Sequence, residues 1–337
     1  MGVCECGFGK SECDVLGGVR FSVFVPFYAF QGVEKAEASS LFSRVRDVVL
    51  ECERLGYHSV WLDDHLMFRE NPILECWTML SALSSITTSI RLGTMTTSAA
   101  FRNPALLAKM AATVDVISNG RLEFGIGAGV QKEEHVAYGF PFPEASVRIE
   151  RMKEAVEIIR KLWTGEKASY EGKHYRITEA VCEPKPLQKP HPPITIGGSG
   201  EKHTLKVTAQ LADKCDFGYL PSTELYRHKL QVLENHCKAI GRDSREIEKS
   251  CWPAGQILIA KDQKELEEKI QRCNPKNVAR ADFEKYSLVG TPDECIEKMQ
   301  PYLDLGVTHF MLFFGELPDT SGLQLFAETV AKKLKST

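Results

Sequence analysis

The sequence has no long apolar run and no strong excess of charge of one sign. No stretch approaches the ~20 continuous apolar residues of a membrane-spanning helix. The first residues carry Cys and Glu, where a signal peptide has its apolar core. Lys and Arg number 42 against 45 Asp and Glu, a formal net charge of −3. These features argue against a membrane protein, a secreted protein or a nucleic-acid partner, and we expect a cytoplasmic protein.

Several catalytic motifs are also missing. The chain contains no H-E-x-x-H, C-x-x-C or G-x-S-x-G sequence, which disfavours metal-dependent hydrolysis and triad catalysis. The predicted strands contain no lysine, which disfavours a Schiff-base aldolase. Cys4, Cys6 and Cys13 cluster within residues 1–19, one thiolate short of a four-cysteine metal site. We therefore expect a flexible leader at 1–19 and no metal.

What the chain does have is a regular alternation of short β-rich runs and amphipathic helical segments. Apolar residues make up 43% of its 337 residues and charged residues 26%, as in an ordinary globular protein. Leu41, Val45, Val48 and Cys52, for example, recur with helical spacing. The predicted strands are 21–26, 58–63, 90–96, 122–126, 194–196, 215–219, 254–260 and 308–314.

Eight strands, each with a helix, indicate a single (β/α)8 TIM barrel over residues 20–337. Two excursions interrupt it, one after strand four at about 130–147 and one before strand five at 166–192. The second contains a predicted hairpin and a proline-rich crossing. A doubly wound sheet is the alternative, but it would normally place G-x-G-x-x-G after its first strand, where this chain has Pro26-Phe-Tyr.

Barrel enzymes build their active sites from the loops at the carboxyl ends of the strands, so the residues there are the candidates. Asp63-Asp64-His65 follows strand two and combines two acids with a side chain that changes charge near neutral pH. Strand three ends in Met95-Thr96-Thr97-Ser98, whose hydroxyl groups can hydrogen-bond the edge of a heteroaromatic ligand.

Glycines follow the next two strands. Gly127 and Gly129 after strand four let the backbone approach a ligand closely. Gly197-Gly198-Ser199-Gly200 follows strand five and leads into a predicted helix at 201–205, an arrangement that favours binding of an anion. Because the Walker lysine is absent, this loop suits the phosphate of a bound cofactor better than phosphoryl transfer.

Four segments together resemble the bacterial luciferase-like superfamily, whose members are flavin- or coenzyme F420-dependent barrels. The segments are 55–65, 118–129 with 134–143, 192–205, and 289–294 with 305–310. In order and spacing they cover nearly the whole chain. The sequence Gly-Gly-x-Gly-Glu-Lys-x-Thr-Leu within the third resembles the deazaflavin-using branch. The resemblance implies a homodimer that binds coenzyme F420 over the barrel mouth and exchanges a hydride with a small organic substrate.

The resemblance also implies roles for individual residues. His65 is expected to handle the substrate proton, with Asp64 or Asp63 setting its tautomer. The expected cofactor contacts are Asp63, Met95, Thr96, Thr97, Ser98, Gly127, Gly129, Gly197, Gly198, Ser199 and Gly200. A non-prolyl cis peptide is expected between Met95 and Thr96.

Two departures from the family pattern concern the substrate. Val130 stands where the sugar-phosphate dehydrogenase and pterin reductase branches have an acidic residue, so neither activity is carried over. Arg69 replaces a tryptophan of the dehydrogenase branch, and it faces either an anionic substrate or solvent. Two alternatives remain: an FMN-dependent monooxygenase of the same superfamily, and a non-catalytic flavin-binding barrel.

Overall fold

A computed structural model describes residues 18–27, 38–69, 71–275 and 278–335. Its strands, in chain order, are β1 (Arg20–Val25), β2 (Ser59–Leu62), β3 (Arg91–Thr94), β4 (Thr97–Ser98), β5 (Leu122–Gly127), β6 (Ala168–Glu171), β7 (Arg176–Ala180), β8 (Ile194–Gly197), β9 (Lys214–Asp216), β10 (Glu248–Ser250), β11 (Gln256–Ile259), β12 (Ser287–Gly290) and β13 (His309–Leu312). The helices are α1 (Ala38–Arg54), α2 (Cys76–Ile86), α3 (Pro104–Ile117), α4 (Lys132–Ala137), α5 (Ala145–Thr164), α6 (Thr204–Leu211), α7 (Thr223–Ala239), α8 (Gln263–Cys273), α9 (Arg280–Tyr286), α10 (Pro292–Leu303), α11 (Ser321–Phe326) and α12 (Lys332–Lys335).

Eight of the described strands form a parallel barrel, which confirms the predicted fold class. They run in the order β10-β9-β8-β5-β3-β2-β1-β13. The barrel closes just beyond β10, where Cys251 forms a parallel bridge with Phe310 of β13. The Cys251 amide donates to the His309 carbonyl over 3.0 Å, and its carbonyl accepts from the Met311 amide over 2.8 Å. The carboxyl ends of all eight strands therefore meet at one mouth.

The helices cover the barrel through their apolar faces. In α1, Leu41, Val45, Val48 and Cys52 are all buried against the strands. The helix ends before Gly56, whose φ of +71° is readily adopted by glycine. Asn103 caps α3 by accepting a hydrogen bond from the Ala105 amide over 2.9 Å. No helix among the described ranges is both long and apolar enough to cross a membrane.

Both predicted excursions are present. The one after β5 contains α4, and the one before β8 contains the antiparallel hairpin of β6 and β7. The predicted leader 1–19 lies outside the described residues except for 18 and 19.

The prediction for strand seven is wrong. The seventh barrel strand is β10, whereas the strand within the predicted 254–260 is β11, which pairs with β12 in a two-stranded parallel sheet. An isolated parallel bridge joins Ile257 of β11 to Phe314, just beyond β13. A third excursion, from β11 through α10, therefore lies between β10 and β13. It has its own small core, formed by Leu258, Ala260, Leu266, Ile270, Phe283 and Val289. The apolar run at β11 serves two cores, since Leu258 and Ala260 belong to this small core whereas Ile257 and Ile259 belong to the main core.

The polar sequence of β10 is explained by hydrogen bonds inside the barrel. Glu248 Oε1 lies 2.7 Å from His309 Nδ1, and His309 Nε2 lies 2.7 Å from Ser22 Oγ. The carboxylate of Glu123 is buried and receives Lys214 Nζ at 2.9 Å and Arg91 Nε at 2.5 Å. Burial alone would raise the pKa of Glu123, but these two cations lower it to about 2. The end of the barrel opposite the mouth is thus held partly by the ion pairs of Glu123.

Candidate active site

A cavity of about 480 Å³ opens at the carboxyl ends of the barrel strands. Nine of the predicted site residues line it: Asp64, His65, Met95, Thr96, Ser98, Gly127, Gly129, Gly197 and Gly198. The other four, Asp63, Thr97, Ser199 and Gly200, lie within two residues of these in the chain but do not line the cavity. The strand ends therefore bring most of the predicted set together.

His65 is paired with a carboxylate that the sequence analysis did not identify. Its Nδ1 lies 3.0 Å from Oε2 of Glu134, a residue of α4 that is 2% exposed. The Leu66 amide donates to the other oxygen of the same carboxylate. Burial would raise the pKa of Glu134, but the His65 and Leu66 hydrogen bonds bring it below its ordinary value. Burial would lower the pKa of His65, but Glu134 raises it above the ordinary value.

The hydrogen bonds of Asp64 do not match the predicted role of setting the tautomer of His65. Its carboxylate accepts two hydrogen bonds from the Arg102 guanidinium, at 2.7 and 2.9 Å, and one from the Ser98 amide at 3.0 Å. Asp64 thus anchors the loop after β3 to β2. The carboxylate that contacts Nδ1 of His65 is Glu134, from an element about seventy residues away in sequence.

Asp63 also bonds elsewhere. Its Oδ1 accepts from the Phe27 amide over 2.8 Å, while its buried Oδ2 has no hydrogen-bond partner among the described residues. Burial raises the pKa of Asp63 to about 6. Asp63 contributes to the field at His65, since its charge is one of those that raise the pKa of the imidazole.

The floor of the cavity is the segment between β3 and β4. The peptide bond between Met95 and Thr96 is cis, as predicted. The Thr96 side chain lies between two glycines, because a Cβ on Gly127 would come within 2.5 Å of Thr96 Oγ1 and one on Gly197 within 2.6 Å of Thr96 Cγ2. Only glycine at both positions leaves room for Thr96.

Two buried polar atoms face the space beside Gly129. Ser98 Oγ and His135 Nε2 have no hydrogen-bond partner among the described residues. A Cβ on Gly129 would lie 3.0 Å from the first and 2.8 Å from the second. His135 Nδ1 lies 2.7 Å from the Gln131 carbonyl, which fixes the ring and leaves Nε2 toward the cavity. Since buried polar atoms are normally paired, this corner suits a ligand that carries a hydrogen-bonding group.

The glycine-rich loop after β8 differs in detail from the prediction. Gly198 has a φ of +124°, and its amide donates to the Asp216 carbonyl over 2.8 Å, so that N–H is not available to an anion. Helix α6 begins at Thr204, later than predicted, because a turn occupies 201–203. A Cβ on Gly200 would lie 2.9 Å from Thr204 Oγ1. The loop is thus packed tightly onto the start of α6.

Sequence reasoning also missed a buried acid on the opposite wall. Asp216, at the end of β9, accepts from the Trp252 indole over 2.9 and 3.0 Å and from the Gly218 amide over 2.7 Å. The Ser250 hydroxyl contacts the same carboxylate. Burial raises the pKa of Asp216. The misplaced strand seven hid Ser250 and Trp252, and the predicted strand six ran past Asp216 to residue 219.

The two departures noted in the sequence lie at different distances from the cavity. Val130 lines its rim and is 81% exposed. Arg69 is exposed, lies over the Phe68 ring and is not among the cavity-lining residues. No cluster of three or more potential metal ligands occurs among the residues that the structure describes.

Comparisons with known proteins identify the family of this chain and find the same fold in solved structures. A family model described as luciferase-like monooxygenase matches residues 19–309. The chain is 29% identical over 313 residues to an F420-dependent glucose-6-phosphate dehydrogenase of Microbacterium testaceum, covering 84% of this chain and 90% of the relative. It superposes on the monooxygenase RslO1 of Streptomyces bottropensis with a TM-score of 0.78 at 22% identity, covering 93% and 99% of the two chains. An F420-dependent secondary alcohol dehydrogenase superposes with a TM-score of 0.76 at 20% identity, covering 93% and 98%.

Proposed function

Because the chain belongs to the luciferase-like monooxygenase family, we propose that it is an oxidoreductase that transfers a hydride between coenzyme F420 and a small organic substrate. Relatives that cover most of the chain are named F420-dependent dehydrogenases, which supports this cofactor. When bound, the deazaflavin supplies a ring carbon that gives or accepts a hydride. The single observation that carries the proposal is the His65–Glu134 pair at the glycine-lined mouth.

The residues of the mouth fit this cofactor. Met95 and Thr96 would lie against the ring, and Ser98 Oγ and His135 Nε2 would hydrogen-bond its edge. The loop from Gly197 to Gly200 would hold the phosphate tail through its remaining amides.

His65 would take the proton that a substrate hydroxyl loses as hydride leaves the neighbouring carbon, or return it in the reverse direction. Glu134 raises the pKa of His65, so the imidazole is a stronger base than an isolated histidine. The side chain of His65 is 22% exposed and lines the cavity, so a substrate can reach it. Asp64 would contribute by positioning the loop after β3, which it binds through Arg102 and the Ser98 amide.

Titration of the purified protein with F420 and with FMN tests the proposed cofactor. We expect F420 to bind much more tightly, and we expect turnover without oxygen consumption. Tight binding of FMN with oxygen-dependent turnover would instead identify the monooxygenase alternative. If the protein bound a cofactor but no added donor or acceptor changed the absorbance of that cofactor, the protein would be a non-catalytic barrel.

We also propose that the protein acts as a cytoplasmic homodimer, as the family resemblance suggests. Exposed apolar side chains on α3, namely Leu106, Val116 and Ile117, are compatible with a contact between copies. Light scattering of the purified protein tests the oligomeric state, and a monomer at working concentrations would refute it.

A further inference from the structure

The mouth cavity has two chemically different walls. The polar wall carries Asp64, His65, Ser98, Glu134 and His135. The opposite wall is mainly aromatic and carries Phe24, Phe217, Tyr219, Trp252, Tyr286 and Phe313. Its one acid, Asp216, already accepts hydrogen bonds from Trp252, Gly218 and Ser250. A cavity with one group that handles protons and an opposing apolar wall is suited to a substrate with one polar group on an apolar body.

The aromatic wall is a packed surface. The Phe24 ring lies edge-on to Trp252 at a centroid distance of 5.3 Å, and Tyr219 lies edge-on to Tyr286 at 5.1 Å. Gly255 makes room for Tyr286, because a Cβ at position 255 would lie 1.8 Å from Cζ of the Tyr286 ring. The Tyr286 ring is 46% exposed at the rim and can contact a substrate without supporting the barrel core.

Apart from the backbone amides of the Gly197–Gly200 loop, which we assign to the phosphate of F420, the cavity does not favour the phosphate monoester of a sugar substrate. Its lining includes the carboxylates Asp64, Glu134 and Asp216 and, among the described residues, no lysine or arginine. Arg102 is directed at Asp64, and the hydrogen-bond donors to Asp216 are neutral groups. A phosphate ester carries about −1.5 to −2 charges at pH 7 and is normally bound by cationic side chains. A sugar phosphate would therefore find no lysine or arginine among the described lining residues to bind its charge.

Building on the proposed function, we propose that the substrate is an uncharged alcohol with an apolar body, or the corresponding ketone, and not a sugar phosphate. In the oxidative direction the carbinol C–H bond breaks and its electron pair leaves as hydride to F420. The hydroxyl proton passes to the imidazole of His65, and the carbon–oxygen double bond forms. The cofactor is reduced by two electrons as the alcohol is oxidised by two. The F420-dependent relatives named for glucose 6-phosphate would then differ from this chain in substrate class.

The first test compares substrates on the protein loaded with F420. We expect kcat/KM for 1-phenylethanol to exceed that for glucose 6-phosphate by a factor on the order of 100. We also expect calorimetry to show acetophenone binding to the loaded protein and no binding of glucose 6-phosphate. Preference for glucose 6-phosphate, with F420 bound, would overturn the substrate class while leaving the proposed function intact. Failure to bind F420 would overturn both.

The second test uses the aromatic wall. Tyr286→Ala should raise the KM for 1-phenylethanol by about tenfold, since the ring contact is lost, but that for 2-propanol by less than about threefold. Tyr175→Ala is a matched control, because Tyr175 packs under Arg151 and is not a cavity-lining residue. Equal changes for both alcohols, or no change for either, in a folded Tyr286→Ala protein would contradict the proposal.

Discussion

Replacing Glu134 with glutamine removes one charge while keeping the size of the side chain. Glu134 is 2% exposed, and its carboxylate lies 3.0 Å from Nδ1 of His65. A hydrogen bond to a charged group contributes about 1.5–3 kcal/mol. At 1.36 kcal/mol per pKa unit, its loss should lower the pKa of His65 by about 1–2 units.

The kinetic consequence follows from the direction of that shift. If neutral His65 accepts the substrate proton, the acidic limb of the pH profile of kcat/KM should move to lower pH by about the same 1–2 units. The plateau should fall by about 10- to 150-fold, because the protonated imidazole loses its counter-charge. Binding of F420 should change little.

The assay combines an NMR titration of the His65 ring with the pH dependence of kcat/KM. Glu133→Gln is the matched control, since Glu133 is the exposed neighbour of Glu134 in the first turn of α4. A folded Glu134→Gln protein with an unshifted ring pKa and an unshifted acidic limb would refute the role of Glu134.

Three further predictions concern the cofactor, the base and the barrel. Gly198→Val should weaken F420 binding by more than about fivefold, since a φ of +124° strains a β-branched residue. Gly139→Val is the control, because Gly139 also has a positive φ but has open space around it. Equal affinities of the two variants for F420 would contradict the assignment of the loop. His65→Asn should retain F420 but lose turnover by about 10²–10⁴, and near-normal rates would make His65 structural. Glu123→Gln should cost about 3–5 kcal/mol at pH 7. The Glu123 pKa is lowered to about 2, so its stabilisation is complete above pH ~4.5 and lost as pH falls toward 2. In urea unfolding, the free energy of unfolding of the variant should depend less on pH over that window than that of the unchanged protein. The same pH dependence in both proteins would contradict this.

Much of the fold could be predicted because burial leaves a local pattern. The apolar face of α1 and the strand end at Asp63-Asp64-His65 are both readable from neighbouring residues, and the structure places them as expected. The polar strand β10 was not readable, because Glu248 is satisfied by His309, sixty-one residues later. A strand whose side chains join a buried ion network lacks the apolar signal used to find strands.

The same reason explains the errors at the site. His65 could be placed from the end of β2, but its partner Glu134 lies in an excursion sixty-nine residues away. In sequence, Glu134 differs in no visible way from the exposed Glu133 beside it. Asp216 was missed because the predicted strand six ran through it to residue 219, and because its donors Ser250 and Trp252 lie just before the misplaced strand seven. Partners that depend on tertiary contacts need the structure, whereas the positions of the Asp63-Asp64-His65 strand end and of the glycines at the mouth could be predicted from the sequence.

The most direct test of hydride transfer uses reduced F420 labelled with deuterium at its reactive ring carbon, mixed with the protein and acetophenone. The account predicts one deuterium on the carbinol carbon of the product, formed without oxygen consumption and far more slowly by His65→Asn. Label released to solvent, or reduced cofactor consumed by oxygen with no labelled alcohol, would contradict it.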